Sequence, residues 1–283
     1  MDVRPNLFDQ LVFSGGGTRC FWQGGFMEVC EEPLGLKPKR MAAVSGGALS
    51  ACCHIGGRDR ALLDIMGSAF ADQDRNVTLG KSDATPHQGL YREVVTDALT
   101  DEAQARVADG PPLQILLAAP PRRLPLKAGA LLALALYEID RHARSSPHMA
   151  LPVTIGTRPI LVDANQAARD GRLIDLVCAA AVIPPVFDLA TWEGTRVMDA
   201  GTCDNAPMPD PDQGKTLILL TRKYRNTPEQ PDRLYVAPSG ETPADKIDFT
   251  DKEAIEETWR LGREDGQAFL RRHGLSEAQP SAA

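Results

Sequence analysis

Leu11-Val12-Phe13-Ser14-Gly15-Gly16-Gly17-Thr18-Arg19 is a short apolar run stopped by three glycines, and Phe21 to Cys30 after it can start a helix. The apolar run suits a strand buried in a parallel sheet. Glycine has no Cβ, so the chain can turn there with positive φ and bring its N–H groups close to a bound atom. The turn opens a helix N-terminus, where unpaired N–H groups and the helix dipole favour negative charge. Arg19 adds a fixed cation that can hydrogen-bond a phosphate or brace the loop. Taken alone, the segment reads equally well as an ordinary tight strand-to-helix turn.

The same shape recurs at Met41-Ala42-Ala43-Val44-Ser45-Gly46-Gly47, with Ala48 to Ile55 as the following helix. A serine in such a turn has the context of a nucleophile elbow, which needs small residues two positions to either side. Gly47 meets that need, and Ala43 is the next smallest choice after glycine. A third segment spans Leu173 to Pro207. It has a short helix with Cys178-Ala179-Ala180-Ala181, then Ile183-Pro184-Pro185-Val186-Phe187, a Glu193-Gly194 turn and a strand ending at Asp199. Strand ends are where open α/β sheets gather functional groups. A glycine turn can hold an oxyanion, an elbow serine can be a nucleophile and an aspartate its base.

Two other readings of the glycine turn fail. A dinucleotide fingerprint needs a third glycine where Cys20 stands and an acid at the end of the second strand, which instead ends at Ser45. A P-loop needs Gly-Lys-Ser/Thr, and no such triplet follows. A Ser-Asp-His triad would have to use His273, since of His54, His87, His142, His148 and His273 it alone follows Asp199. Its place at the end of a charged helical stretch, with Gly274 as a stop, reads as a solvated cap.

The glycine turn, the serine elbow, the Ala-Ala-x-Ile-Pro-Pro-x-Phe stretch and the Asp199-Ala200-Gly201…Asn205-x-Pro207 ending resemble the patatin-like phospholipases, in that family's order. The resemblance covers residues 10–56 and 173–207 well and the middle poorly. It implies a three-layer α/β/α sandwich with a mainly parallel sheet. It also implies a serine acyl hydrolase cleaving lipid esters, with Ser45 as nucleophile and Asp199 as its direct base. The Gly15, Gly16 and Gly17 N–H groups would form the oxyanion hole, Arg19 would bind an anionic substrate group, and no metal or other cofactor is needed. The family more often has glycine where this chain has Cys20, Ala43 and Ala200. The other reading on the same fold is a lipid-binding or regulatory protein without turnover.

Composition fits an expected cytoplasmic enzyme that touches a membrane surface transiently. The 283 residues and 43% hydrophobic content can build a sizeable core. With 31 basic against 38 acidic residues, the net charge of −7 argues against nucleic acid as a partner and gives no global attraction to anionic lipid. Met1 to Gln10 is polar, with Asp2 and Pro5, and does not read as a signal peptide. The six cysteines have no zinc spacing and read as thiols.

The chain is expected to form one acyl hydrolase domain over 1–275, with a helical cap or insertion near 122–150 and a mobile tail at 276–283. Ala128 to Tyr137 is almost wholly apolar but too short for a bilayer, which needs about 20 residues. It reads as a buried helix, or else as a cap over the acyl site. Leu113–Ala119 reads as a strand, Thr216–Thr221 as the last strand and Pro228–Pro243 as loop-rich. Ile255, Trp259, Gly262, Gly266 and Phe269 share one helical face, expected to dock on the sheet.

Overall fold

The structure, a computed structural model, describes residues 1–71, 86–184, 188–246, 248 and 250–275. Residues 80–85, Pro185-Val186-Phe187 and the 276–283 tail therefore lie outside the described residues, as do the side chains of residues 71, 86 and 87.

The two apolar runs become β1 (Gln10–Phe13) and β2 (Arg40–Val44), parallel neighbours with Leu11 opposite Met41 and Phe13 opposite Ala43. Helix α1 (Phe21–Leu34) crosses between them and ends on Gly35, whose φ of 56° is the left-handed stop that glycine adopts freely. After β2 come α2 (Gly46–Gly56), α3 (Asp59–Ala71), α4 (Pro86–Ala98) and α5 (Asp101–Asp109). Strand β3 (Leu113–Ala119) then pairs parallel with β2.

Further along lie α6 (Leu126–Ala143), α7 (Leu151–Thr154), β4 (Arg158–Asp163), α8 (Ala164–Arg169), α9 (Leu173–Ala180), β5 (Ala190–Trp192) and β6 (Thr195–Asp199). Strands β4 and β6 both run antiparallel to β3, and β5 pairs antiparallel with β6. On the other side of the sheet, β7 (Thr216–Leu219) lies parallel to β1, and β8 (Arg233–Val236) lies parallel to β7. Strand β8, within the loop-rich 228–243 stretch, corrects the expectation that Thr216–Thr221 is the last strand. Its four half-buried residues sit at the sheet edge among prolines, too short for an alternation to register.

Both faces of the sheet are buried, as parallel strands require. Leu11, Phe13, Met41, Ala43, Ile115 and Leu217 join the main core, while Val12, Ala42 and Ile218 face the other way. The last helix, α10 (Lys252–Arg272), packs on α1 and not directly on the sheet as expected. Close contact requires glycine on each side: a Cβ on Gly25 would overlap the Trp259 carbonyl, and one on Gly262 the Trp22 carbonyl. The exchange is sealed by the Trp22 indole donating to Asp265 at 2.7 Å and that of Trp259 to Glu28 at 2.6 Å.

The expectation of a buried helix at 128–137 is corrected. Helix α6 turns Gly129, Ala130 and Ala133 inward, the two alanines against Ala200 and Met198, and leaves Leu131 and Leu132 46% and 41% exposed. Its small residues and Tyr137, not Leu131 and Leu132, make the protein contact.

Candidate active site

Register on β3 brings the distant segments together. Strand β4 occupies one edge of β3 from Gln114 to Ala119, so β2 and β6 share the other. Strand β2 ends with Val44 opposite Leu116, and Asp199 of β6 lies opposite Leu117. The residue after β2 and the last residue of β6 are thereby placed side by side.

That residue is Ser45, with φ 55° and ψ −136°, a conformation strained for any side chain. Surrounding contacts hold it there. A Cβ on Gly47 would come within 2.5 Å of the Phe13 and Ser14 carbonyl oxygens, and one on Gly46 within 2.8 Å of the Gly17 carbonyl oxygen. The elbow thus packs directly on β1 and on the glycine turn.

Ser45 Oγ donates to Asp199 Oδ2 at 2.7 Å, and Asp199 Oδ1 accepts the Gly201 N–H at 2.8 Å. Each residue is only 3% exposed. Burial raises the Asp199 pKa above the ordinary carboxylate value, opposed by Lys246, the Ser45 hydrogen bond and the Gly201 N–H. A carboxylate so placed is a better base than one in water. The described histidines are engaged elsewhere: His54 beside Asp59 and Glu31, His142 with Glu138, His148 with Asp204 and Tyr235, and His273 against the Phe269 ring. The side chain of His87 lies outside the described residues.

The glycine turn needs one correction as an oxyanion site. The Gly15 N–H already donates to the Asn205 carbonyl at 3.1 Å, and the Gly15 carbonyl accepts the Thr221 hydroxyl at 2.7 Å. Gly15 therefore anchors the turn. The Gly16 and Gly17 N–H groups have no acceptor among the described residues, and Gly17 turns with φ 59°. The Gly46 N–H, first in α2, is equally free among the described residues. Sequence reading missed this donor, although it directly follows the serine.

Arg19 lies near Asp245 at 3.9 Å, and the Thr18 hydroxyl donates to the Asp245 carbonyl. Both contacts brace the glycine turn against the 243–246 loop. That loop brings in Lys246, which sequence reading did not single out because a lone lysine after a proline-rich stretch carries no pattern. Burial works against its ammonium, but Tyr137, Asp199 and Tyr224 outweigh it and hold its pKa above the ordinary lysine value, with Arg19 opposing. A cavity of about 260 Å³ opens here, lined by Gly15, Gly16, Arg19, Tyr137, Asn205 and Lys246 among others. Tyr137 is the residue α6 contributes from the expected apolar stretch. Among the described residues, no three His, Cys, Asp or Glu side chains gather to hold a metal ion.

The family model for patatin-like phospholipases matches residues 11–212, which is most of the chain. The chain belongs to the patatin-like phospholipase family. Its mixed, mostly parallel sheet flanked by helices is this family's α/β/α fold. Among solved structures it is similar to VipD from Legionella pneumophila, at 10% identity and a TM-score of 0.52, covering 94% of this chain and 67% of VipD. No curated protein matches the chain. Family membership implies hydrolysis of lipid esters, with lipid as the substrate class. No described helix is long and apolar enough to cross a membrane.

Proposed function

We propose that this protein is a serine acyl hydrolase working through a Ser45–Asp199 dyad and an acyl-serine intermediate. Asp199 takes the Ser45 proton as Oγ attacks the ester carbonyl, and the carbonyl electrons move to oxygen. The Gly16, Gly17 and Gly46 N–H groups receive that oxyanion. Collapse expels the alcohol, which leaves with the proton from Asp199. Water then gives its proton to Asp199, attacks the acyl-serine and releases the fatty acid, restoring Ser45.

The observation that carries this reading is the 2.7 Å hydrogen bond between side chains 154 positions apart in the chain. The strained φ of Ser45 adds support, since such strain persists where the surroundings enforce it. Residues 1–275 act in this reading as one hydrolase unit, with 122–150 as its insertion.

The same reading gives the enzyme a lipid surface to work on. Leu124, Leu126, Leu131, Leu132 and Ile139 are all exposed along or just before α6, with Ile139 at 56%. Segment 122–144 holds five basic residues against two acidic ones in a chain of net charge −7. An apolar helix face with basic flanks fits an anionic bilayer better than a second copy of this acidic chain. Peripheral attachment to a membrane surface through this face is part of the same proposal.

A serine-directed fluorophosphonate tests the chemistry. Intact-mass analysis is expected to find one adduct, on Ser45, and Ser45→Ala is expected to lose both the adduct and ester hydrolysis while staying folded. Full hydrolysis by Ser45→Ala would sink the assignment.

A further inference from the structure

The stretch of chain that carries the proposed base also carries the anchor of the glycine turn. Strand β6 ends at Asp199, and shortly after it the Asn205 carbonyl accepts the Gly15 N–H at 3.1 Å. The Asn205 side chain lies between two glycines. A Cβ on Gly15 would come within 2.6 Å of its Oδ1, and one on Gly201 within 2.9 Å. Gly201 in turn donates to Asp199 at 2.8 Å. Asn205 thus touches the oxyanion turn on one side and the cap of the base on the other. Residues 203–206 belong to no helix or longer strand, so regular structure does not hold them. The link between α6 and α7 does. The Asn205 N–H donates to the Pro147 carbonyl at 2.8 Å and the Met149 N–H to the Cys203 carbonyl at 3.1 Å, with His148 and Asp204 forming an antiparallel bridge between them.

Side chains lock that bridge. His148 Nδ1 donates to Asp204 Oδ1 at 2.8 Å, and the same oxygen accepts the Ala206 N–H at 2.9 Å. Across the ring, Nε2 lies 3.1 Å from the Tyr235 hydroxyl on β8. A carboxylate partner keeps the proton on Nδ1 and leaves Nε2 to accept from the tyrosine. Protonating the ring preserves both contacts, because the tyrosine oxygen then accepts. We propose that His148 is a positioning residue for the hydrolysis: through Asp204 it fixes Asn205, and through Asn205 the oxyanion turn beside Ser45. The inference rests on the Ser45–Asp199 reading for the reaction, while the clamp itself stands on the bonds just described. Its loss slows the step that needs the oxyanion donors and leaves ester binding alone. A misplacement on the order of 1 Å at such donors costs up to about 10² in rate.

Two variants of the full chain test this. His148→Phe keeps a ring edge-to-face with Tyr235, now 6.2 Å between centroids, and deletes both hydrogen bonds. His148→Asn sets an amide N–H near the place of Nδ1 and keeps the bond to Asp204. Active protein is counted as fluorophosphonate adducts on Ser45, so kcat for p-nitrophenyl butyrate is read per labelled site and misfolded chains drop out. In His148→Phe that kcat is expected to fall at least about tenfold with KM within about twofold, and His148→Asn to recover most of the loss. Amide hydrogen exchange, which needs no turnover, is expected to quicken at Gly15 and Asn205 in His148→Phe and to stay near wild type in His148→Asn. Normal kcat per labelled site in His148→Phe would overturn the proposal, even if fewer sites were labelled, since that is a purely structural loss. A fall shared in full by His148→Asn, or unchanged exchange at Gly15 in His148→Phe, would overturn it too. No label on wild-type Ser45 would instead count against the hydrolase reading, and the exchange rates would then support or overturn the clamp by themselves.

Discussion

Replacing Asp199 by asparagine separates catalysis from stability at one atom. Asp199 uses both oxygens as acceptors, Oδ2 for Ser45 and Oδ1 for the Gly201 N–H. Asparagine has one acceptor. Keeping the bond that caps the 3-10 turn at Ala200–Thr202 commits that oxygen to Gly201 and turns the amide N–H₂ toward Ser45 Oγ. The serine then accepts where it must donate, and no base is left. Loss of a positioned general base costs about 10²–10⁴ in rate, or roughly 3–5 kcal/mol at 1.36 kcal/mol per decade. Stability moves the other way. The folded pKa of Asp199 is raised, chiefly by burial, so its ionised form burdens the fold at neutral pH. For a carboxylate with a raised folded pKa, wild-type stability falls as pH rises from the unfolded value of 3.8 through the folded one. The Asp199→Asn protein is therefore expected to melt at or above the wild-type temperature at pH 7, with its advantage shrinking as pH falls through that window. Hydrolysis of p-nitrophenyl butyrate, followed beside thermal melts over pH 4–8, gives both quantities. More than one tenth of wild-type kcat/KM in Asp199→Asn would refute the base assignment.

Gly16→Ala is expected to lower kcat about 10²–10³-fold, the typical cost of an oxyanion donor, because its Cβ would overlap Thr221 and shift the turn; near-normal kcat would remove Gly16 from the oxyanion site. The acid limb of kcat/KM on a neutral ester is expected above the usual carboxylate range, since Asp199 must be ionised to act. Lys246→Gln should move that limb to still higher pH, because the ammonium lowers the Asp199 pKa; a limb that stays put would free Asp199 from Lys246. Leu131→Gln with Leu132→Gln is expected to abolish flotation with phosphatidylglycerol vesicles, while hydrolysis of a soluble short-chain ester is retained; vesicle binding equal to wild type would place the membrane contact elsewhere.

The parts of this architecture that recur locally could be read from sequence, and the parts set by long-range pairing could not. Two apolar runs followed by glycine-bearing turns located β1, β2, the elbow and the oxyanion turn, because strand, turn and helix follow each other directly. The register in which β2 and β6 meet along β3 has no local signature, yet it is what puts Ser45 beside Asp199. Strands β4 and β8 escaped notice for a related reason. Their residues are half-buried or exposed, so no clean alternation marks them. Helix α6 was misjudged because hydrophobicity alone does not say which face is covered. Here Gly129, Ala130, Ala133 and Tyr137 meet the protein while Leu126, Leu131, Leu132 and Ile139 meet the outside.

The small-residue departures from the family pattern bear on whether the site can work, and the packing around them answers that. Ala43 is buried with the main core, opposite Phe13 and Ile115 in register, on the helical side of β2. Its methyl therefore fills core volume. Cys20 has φ −66° and ψ −13°, ordinary helical values at which glycine confers no advantage. Its thiol donates to the Ser14 carbonyl at 3.6 Å and is held neutral mainly by burial, with Asp199 adding to the effect. A neutral buried thiol does not compete with Ser45 as nucleophile. The position that cannot change is Gly46, where an added Cβ would meet the Gly17 carbonyl oxygen at 2.8 Å, its amide nitrogen at 3.0 Å and the Cys20 sulfur at 3.1 Å. Cys20 thus uses the space that Gly46 leaves open. The tolerance at position 20 and the requirement at position 46 are one packing fact, which keeps the two sets of candidate oxyanion donors, at Gly16–Gly17 and at Gly46, against each other.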